Sequence, residues 1–317
     1  MAYKQSWLDF EKASGGRIAL AGSPLDIKKQ SEDLAAALLP QAPKPSGNVE
    51  VKDEKVDGIP CKVYKPKGAS GALPIAIWTH GGGYMTGDVN MDDLICQAVS
   101  EHTNSVVVNI GYSLTPDYKW PTQLDECLKV YKWAHDNASS IGGDANKMYT
   151  AGGSAGGALA LQICNAVLKN DSLKSSIKGV AAQTPVTVHY SHVPEKYKSM
   201  YKAYDENAKD VPIIDKASMD TFFEHLGADA KDASCFTLLD SDNHKNFPPV
   251  YFTSCEFDPL RDDAYVMEAA LKDAGVETKH DHYKGFPHFF WIIPSIPEGA
   301  EYMGNLMQGI GWLQSKM

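Results

Sequence analysis

Apolar and polar positions along the chain fall into two successive patterns. In VEVKDEKV and IPCKVYKP, before residue 67, they alternate one by one, the period of half-buried strands, and the Asp57-Gly58 pair between the runs predicts a hairpin turn. From Leu73 onward, short apolar runs take turns with longer amphipathic stretches. Leu73–Thr79, Ser105–Ile110, Met148–Ala151, Val180–Thr184, Val250–Ser254 and Thr278–Tyr283 read as strands, while 91–102, Gln123–Asn137, Ala155–Leu168 and 263–274 read as helices. The alternation predicts an α/β fold class: a mostly parallel sheet covered by helices on both faces, with ligands bound beyond the carboxyl ends of the strands.

Two segments stand outside this alternation. The stretch SPLDIKKQSEDLAAALL, residues 23–39, predicts a helix with Ser23 as its N-cap and Pro24 in its first turn, and a proline-rich joint follows it. We expect residues 1–45 to form an N-terminal lid or flank and residues 46–317 the core. A second lid is expected in the insertion at 186–247, which interrupts the core between two strands. Inside it Tyr197, Met200, Tyr201 and Tyr204 recur at i, i+3, i+4 and i+7, one face of a helix. Such a stripe packs as core or roofs a site, and these four residues are carried as candidate substrate-lid residues.

Composition narrows the function. A net charge of −10 argues against a nucleic-acid or anionic-membrane surface, which needs clustered Lys and Arg, and leaves small neutral molecules as the expected partners. The six cysteines form no C-x-x-C pair, so buried free thiols are expected, with no metal site and no cofactor implied. No apolar run reaches membrane-spanning length, and the start has no secretory apolar core. The expectation is a cytoplasmic protein without a stable membrane anchor, able to form a homodimer. Its last residues, Ser315-Lys316-Met317, differ by one side chain from a peroxisomal S-K-L address.

The candidate chemistry begins at TAGGSAGGALA, residues 150–160. The spacing Gly152 to Gly157 imitates a phosphate-binding loop, but Ala158 and Leu159 stand where that loop needs Lys and Ser or Thr. What remains is G-x-S-x-G around Ser154, a strand-turn-helix elbow that exposes a serine oxygen. After the strand Leu73–Thr79 comes His80-Gly81-Gly82-Gly83, a glycine run suited to aim backbone N–H groups at a ligand. With the N–H of Ala155, these would make an oxyanion hole; His80 is expected to hold the loop through side-chain hydrogen bonds. A serine nucleophile also needs a base and a carboxylate that orients it. Asp258 and His288 both follow predicted strand ends, the edge that carries Ser154, with Glu256 as the alternative acid. Asp262 and Asp263 read as first-turn helix carboxylates, and His280 and His282 as strand residues facing solvent or a packed surface.

Taken together, HGGGY, YSLTPDYKWP, GGSAGG, DPLRDD and GFPHFF resemble the hormone-sensitive-lipase group of α/β-hydrolases, the HGGG esterases, over about residues 50–317. The resemblance implies an α/β-hydrolase fold with a helical lid. It also implies a serine carboxylesterase in which Ser154 is the nucleophile, His288 the base and Asp258 its orienter. Gly82, Gly83 and Ala155 would donate to the oxyanion, supported by His80 and Gly81. Two positions depart from the family: Gly153 stands where an acid is usual, and Ser113 where an arginine is usual. The same triad would also serve an acyltransferase, a lactonase or a thioesterase, and the same pocket without turnover would make a small-ligand binder.

Overall fold

A computed structural model describes residues 2–317. Its centre is an eight-stranded sheet: β1 (Val49–Val56), β2 (Ile59–Pro66), β3 (Leu73–Thr79), β4 (Val106–Ile110), β5 (Gly143–Gly153), β6 (Ile177–Gln183), β7 (Val250–Phe257) and β8 (Thr278–Pro287). The spatial order is β1-β2-β4-β3-β5-β6-β7-β8. The β1–β2 hairpin is antiparallel and turns at Asp57 and Gly58, both at positive φ (49° and 91°), as a tight two-residue turn demands. β2 pairs antiparallel with β4, and every pairing from β4 to β8 is parallel.

Burial explains the sequence pattern. β3 and β4 are covered on both faces and are apolar at almost every position, whereas β1, at the sheet edge, exposes four of its eight residues in succession at its middle. The helix Ala155–Val167 is buried almost all round, because it runs under the sheet centre against β5 and β6. All six cysteines are buried free thiols. Among the described residues no helix is long and apolar enough to cross a membrane.

Ser23 caps the helix Pro24–Leu38 in a reciprocal capping box with Asp26. The chain before that helix is stitched to the insertion. Leu20 N–H donates to Ile213 O (2.8 Å), Ile213 N–H donates to Ile18 O (2.8 Å), and Ser218 Oγ donates to Leu20 O (2.6 Å). N-terminal segment and insertion therefore cover the same end of the sheet, the carboxyl ends of the strands.

The expected continuous helix over Tyr197–Tyr204 does not form. A 3-10 turn, Glu195–Met200, is followed by a four-residue helix, Ala203–Glu206, so the four side chains do not share one face. Tyr201 donates to Asp263 (2.7 Å) and Tyr197 to Asp273 (3.2 Å), both on the helix Arg261–Asp273; Tyr204 is buried, and Met200 is exposed. Asp262 and Asp263 are likewise more than dipole-favoured surface acids. Asp262 accepts the N–H groups of Lys202 and Ala203, and Asp263 those of Thr187 and Val188, so two buried carboxylates pin the insertion to the core. At the chain's end Lys316 pairs with Glu277 (2.6 Å), and Met317 packs partly buried against the core.

Candidate active site

β5 ends at Gly153 and the next helix begins at Ala155, so Ser154 alone carries the reversal. It sits at φ 56° and ψ −121°, which a serine adopts only where its surroundings enforce it. Crowding supplies the enforcement. A Cβ on Gly152 would lie 2.3 Å from Thr79 O, and one on Gly156 only 2.0 Å from that same oxygen. The bare backbone lets strand, elbow and helix press together beneath the serine.

The loop after β3 turns back through positive φ at Gly82 (103°) and Gly83 (62°). Among the described residues, the N–H groups of Gly82, Gly83 and Ala155 donate to no backbone carbonyl; Ala155 is unpaired because it opens a helix. His80 is fully buried, stacks on Tyr112 (4.3 Å between centroids, planes 8° apart) and donates Nδ1–H to Gly81 O at 2.7 Å. Burial lowers its pKa to about 4, so the imidazole that braces this loop is neutral. Tyr112 ties the loop from the other side, its hydroxyl donating to His80 O (2.8 Å).

β7 and β8 lie side by side, which brings the loops that follow them together. His288 Nδ1 lies 2.7 Å from Asp258 Oδ2, with the aspartate wholly buried and the histidine nearly so. The second carboxylate oxygen of Asp258 accepts Leu260 N–H (2.8 Å), which fixes its plane. With Nδ1–H donated to the acid, the Nε2 lone pair of His288 is free to act as a base. Glu256, the alternative acid, accepts Gly285 N–H (2.7 Å) and so braces the approach to His288. At the ends of these two strands Lys4 N–H donates to Gly285 O (2.9 Å) and Tyr3 stacks on Phe257 (3.9 Å). His280 and His282 both hydrogen-bond Ser254 Oγ (2.8 and 2.9 Å) in a packed cluster with Glu268, apart from the cavity described next.

Ser154 and His288 face one cavity of about 50 Å³. No hydrogen bond joins their side chains among the described residues; they meet as walls of the same space. Gly82 and Gly83 form its floor, and the N-terminal segment and insertion roof it with Leu20, Leu34, Ile213, Ile214 and Phe222. None of Tyr197, Met200, Tyr201 and Tyr204 lines it: Tyr197 and Tyr201 are held against the helix Arg261–Asp273, and Met200 is exposed. The roofing residues were not singled out from the sequence. Ile27, Leu34 and Leu38 do mark one apolar stripe of the helix Pro24–Leu38, but nothing local in sequence says which site that stripe covers.

Both departures from the family have a visible accommodation. At Ser113, both amide and hydroxyl donate to the Glu126 carboxylate (2.7 and 2.8 Å), which ties the YSLTPD loop to the following helix. At Gly153, the space a side chain would need is taken by the ring of Phe289, whose Cζ would lie 2.9 Å from a Cβ. Among the described residues no cluster of three or more His, Cys, Asp or Glu side chains could hold a metal ion.

Comparison with known proteins agrees with this architecture. Residues 76–292 match a family model described as the alpha/beta hydrolase fold. The chain is 59% identical, over 99% of its length and 96% of the relative's, to a versiconal hemiacetal acetate esterase of Dothistroma septosporum. It is 30% identical to a protein of the same name from Aspergillus parasiticus, with 97% of both chains covered. Among solved structures, a vibralactone cyclase superposes with a TM-score of 0.89 at 29% identity, covering 99% of this chain and 96% of that one.

Proposed function

The chain belongs to the α/β-hydrolase fold family and is a carboxylic ester hydrolase, and on that premise we propose that it works through an acyl-enzyme on Ser154. Ser154 Oγ attacks the ester carbonyl carbon while His288 Nε2 takes its proton. The imidazolium so formed is stabilised by Asp258, and the carbonyl oxygen, now carrying charge, is held by the N–H groups of Gly82, Gly83 and Ala155. Collapse expels the alcohol, protonated by His288. Water, deprotonated by the same imidazole, then releases the carboxylic acid and restores the serine.

The observation that carries this reading is the buried 2.7 Å bond between His288 and Asp258 at the wall of the cavity that Ser154 also lines. Ser154→Ala is expected to lower kcat on p-nitrophenyl acetate by on the order of 10⁶. Undiminished turnover by that variant would overturn the reading.

For substrate we infer an acetate or similarly short ester of an apolar alcohol. The cavity is small, about 50 Å³, and its roof is aliphatic and aromatic. The relative at 59% identity is itself named for a hemiacetal acetate. A p-nitrophenyl ester series from acetate to octanoate tests the inference: kcat/KM should fall steadily with chain length, and a maximum at octanoate would refute it. A second reading, attack on the acyl-enzyme by a hydroxyl of the substrate itself, draws support from the likeness to a vibralactone cyclase. Product analysis with a hydroxy ester separates the two, since lactone rather than free hydroxy acid would favour cyclisation.

A further inference from the structure

One residue that the reaction does not use touches the glycine loop, the serine elbow and the histidine that it follows. Phe289 follows His288 with φ 57° and ψ 25°, a left-handed conformation that is uncommon for a bulky side chain and persists only where packing holds it. Its ring lies parallel to the His288 imidazole, 4.6 Å between centroids and 3° between planes, and Trp291 packs behind it at 4.8 Å. The ring's tip fills the gap between the glycine loop and the elbow: its Cζ would lie 2.7 Å from a Cβ on Gly81 and 2.9 Å from one on Gly153. Phe289 is buried and also lines the cavity.

We propose that Phe289 is a positioning residue, which fixes the plane of the His288 imidazole and the spacing between the glycine loop and Ser154, and that Gly81 and Gly153 are bare because its ring occupies their side-chain space. The ring bears on the imidazole by its face and on both loops by its tip, so one rigid aromatic sets three separations at once. An imidazolium against an aromatic face is also electrostatically favoured, which strengthens the contact when His288 has taken the serine proton. Gly153 and Phe289 are then a size-matched pair: a side chain at 153 and a ring at 289 compete for one volume. The proposal rests on the assignment of Ser154 and His288 given above.

The test is steady-state kinetics on p-nitrophenyl acetate, with melting temperature as a control, for Phe289→Leu, Phe289→Gly, Gly153→Ala and the double variant Gly153→Ala/Phe289→Gly. Phe289→Gly removes the ring and relieves the positive φ, which offsets part of the cavity left behind, so it should melt lower but stay folded at the assay temperature while kcat falls on the order of 10²-fold and KM changes less than about threefold. Phe289→Leu, which keeps apolar bulk but no planar face, should lose at least about tenfold in kcat with KM equally unmoved. Gly153→Ala alone should lower kcat about tenfold, yet cost nothing further in the Phe289→Gly background, because the collision is gone. Wild-type kcat in folded Phe289→Gly or Phe289→Leu would overturn the positioning role. Additive losses in the double variant would overturn the pairing. If instead Ser154→Ala remained active, the assignment of the nucleophile would fail, an outcome visible without any of these variants.

Discussion

The carboxylate of Asp258 accepts the Nδ1 hydrogen of His288 across 2.7 Å with both groups shut away from solvent, so the orientation of the imidazole depends on one acid. Asp258→Asn keeps the shape of the acid but offers His288 a donor as well as an acceptor. The imidazole then adopts the wrong tautomer, with Nε2 protonated toward Ser154. We expect kcat to fall by on the order of 10⁴ with little change in fold, measured by ester hydrolysis alongside circular dichroism. A loss under tenfold would mean that another acid orients the histidine.

The glycine loop is expected to resist even the smallest addition. Gly82 combines φ 103° with a Cβ position 2.3 Å from Thr86 O, so Gly82→Ala must displace backbone as well as strain it. Gly71 supplies the control: it also has positive φ, 80°, but open space around it. Gly71→Ala should cost about 1 kcal/mol in stability and nothing in rate. Gly82→Ala should also lower kcat about 10²–10³-fold, the scale of one lost oxyanion donor. Equal kinetic behaviour of the two variants would argue against a role for Gly82 in the reaction.

Acid should weaken the fold through His80. Its folded pKa, about 4, is below the ordinary 6.5 because burial penalises the charged form. As pH falls through 6.5, the unfolded chain takes up the proton first. The stability that His80 contributes is therefore complete above pH 6.5 and is lost as pH falls toward 4. Glu268 adds a second loss lower down. Burial alone would raise its pKa, but hydrogen bonds from His280, Lys272 and Thr278 outweigh that and hold it at about 2, so its contribution disappears between pH 4.5 and 2. His80→Asn, which can keep a donor toward Gly81 O without a titrating ring, should flatten the fall in Tm between pH 7 and 4.5. Parallel Tm curves for the two proteins would show that His80 is not the group responsible.

Substrate size should respond to the roof. Leu34 reaches the cavity from the N-terminal helix, far in sequence from the elbow. Leu34→Ala removes a wall and should raise the octanoate-to-acetate ratio of kcat/KM about tenfold, within the 10–200-fold that small changes in an apolar pocket produce. An unchanged ratio would place the acyl chain elsewhere.

The sheet was legible because its strands are short apolar runs separated by helices of helical period, and only an α/β layering buries both. The positions of Ser154, Asp258 and His288 along the chain were legible for a related reason: each follows a strand end, and the parallel sheet gathers those ends at one edge. The pocket was not. Leu20 and Ile213 come from segments without a period of their own, and the helical face of Met219, Phe222 and Leu226 does not say what it covers; the bonds of Leu20 with Ile213 and Ser218 bring them over the elbow. The tyrosine stripe failed for an instructive reason: helical spacing is compatible with any helical face, whereas the buried Asp262 and Asp263 captured Lys202, Ala203 and Tyr201 and broke the helix into two short turns. Gly153 looked like a lost acid in sequence. In space it is where an aromatic ring from the far end of the chain fits.

The clasp of Lys4 on Gly285 has a consequence in time as well as in space. Those residues lie almost the whole chain apart, and the strand they brace leads directly to His288. Contacts of such sequence separation carry the greatest loop-closure cost and form late. During refolding from denaturant, recovery of esterase activity should therefore lag behind recovery of the sheet's circular dichroism. Removing residues 2–13, which carry Lys4 and the helix Gln5–Ala13, should leave a protein that regains its secondary structure on schedule but hydrolyses esters poorly.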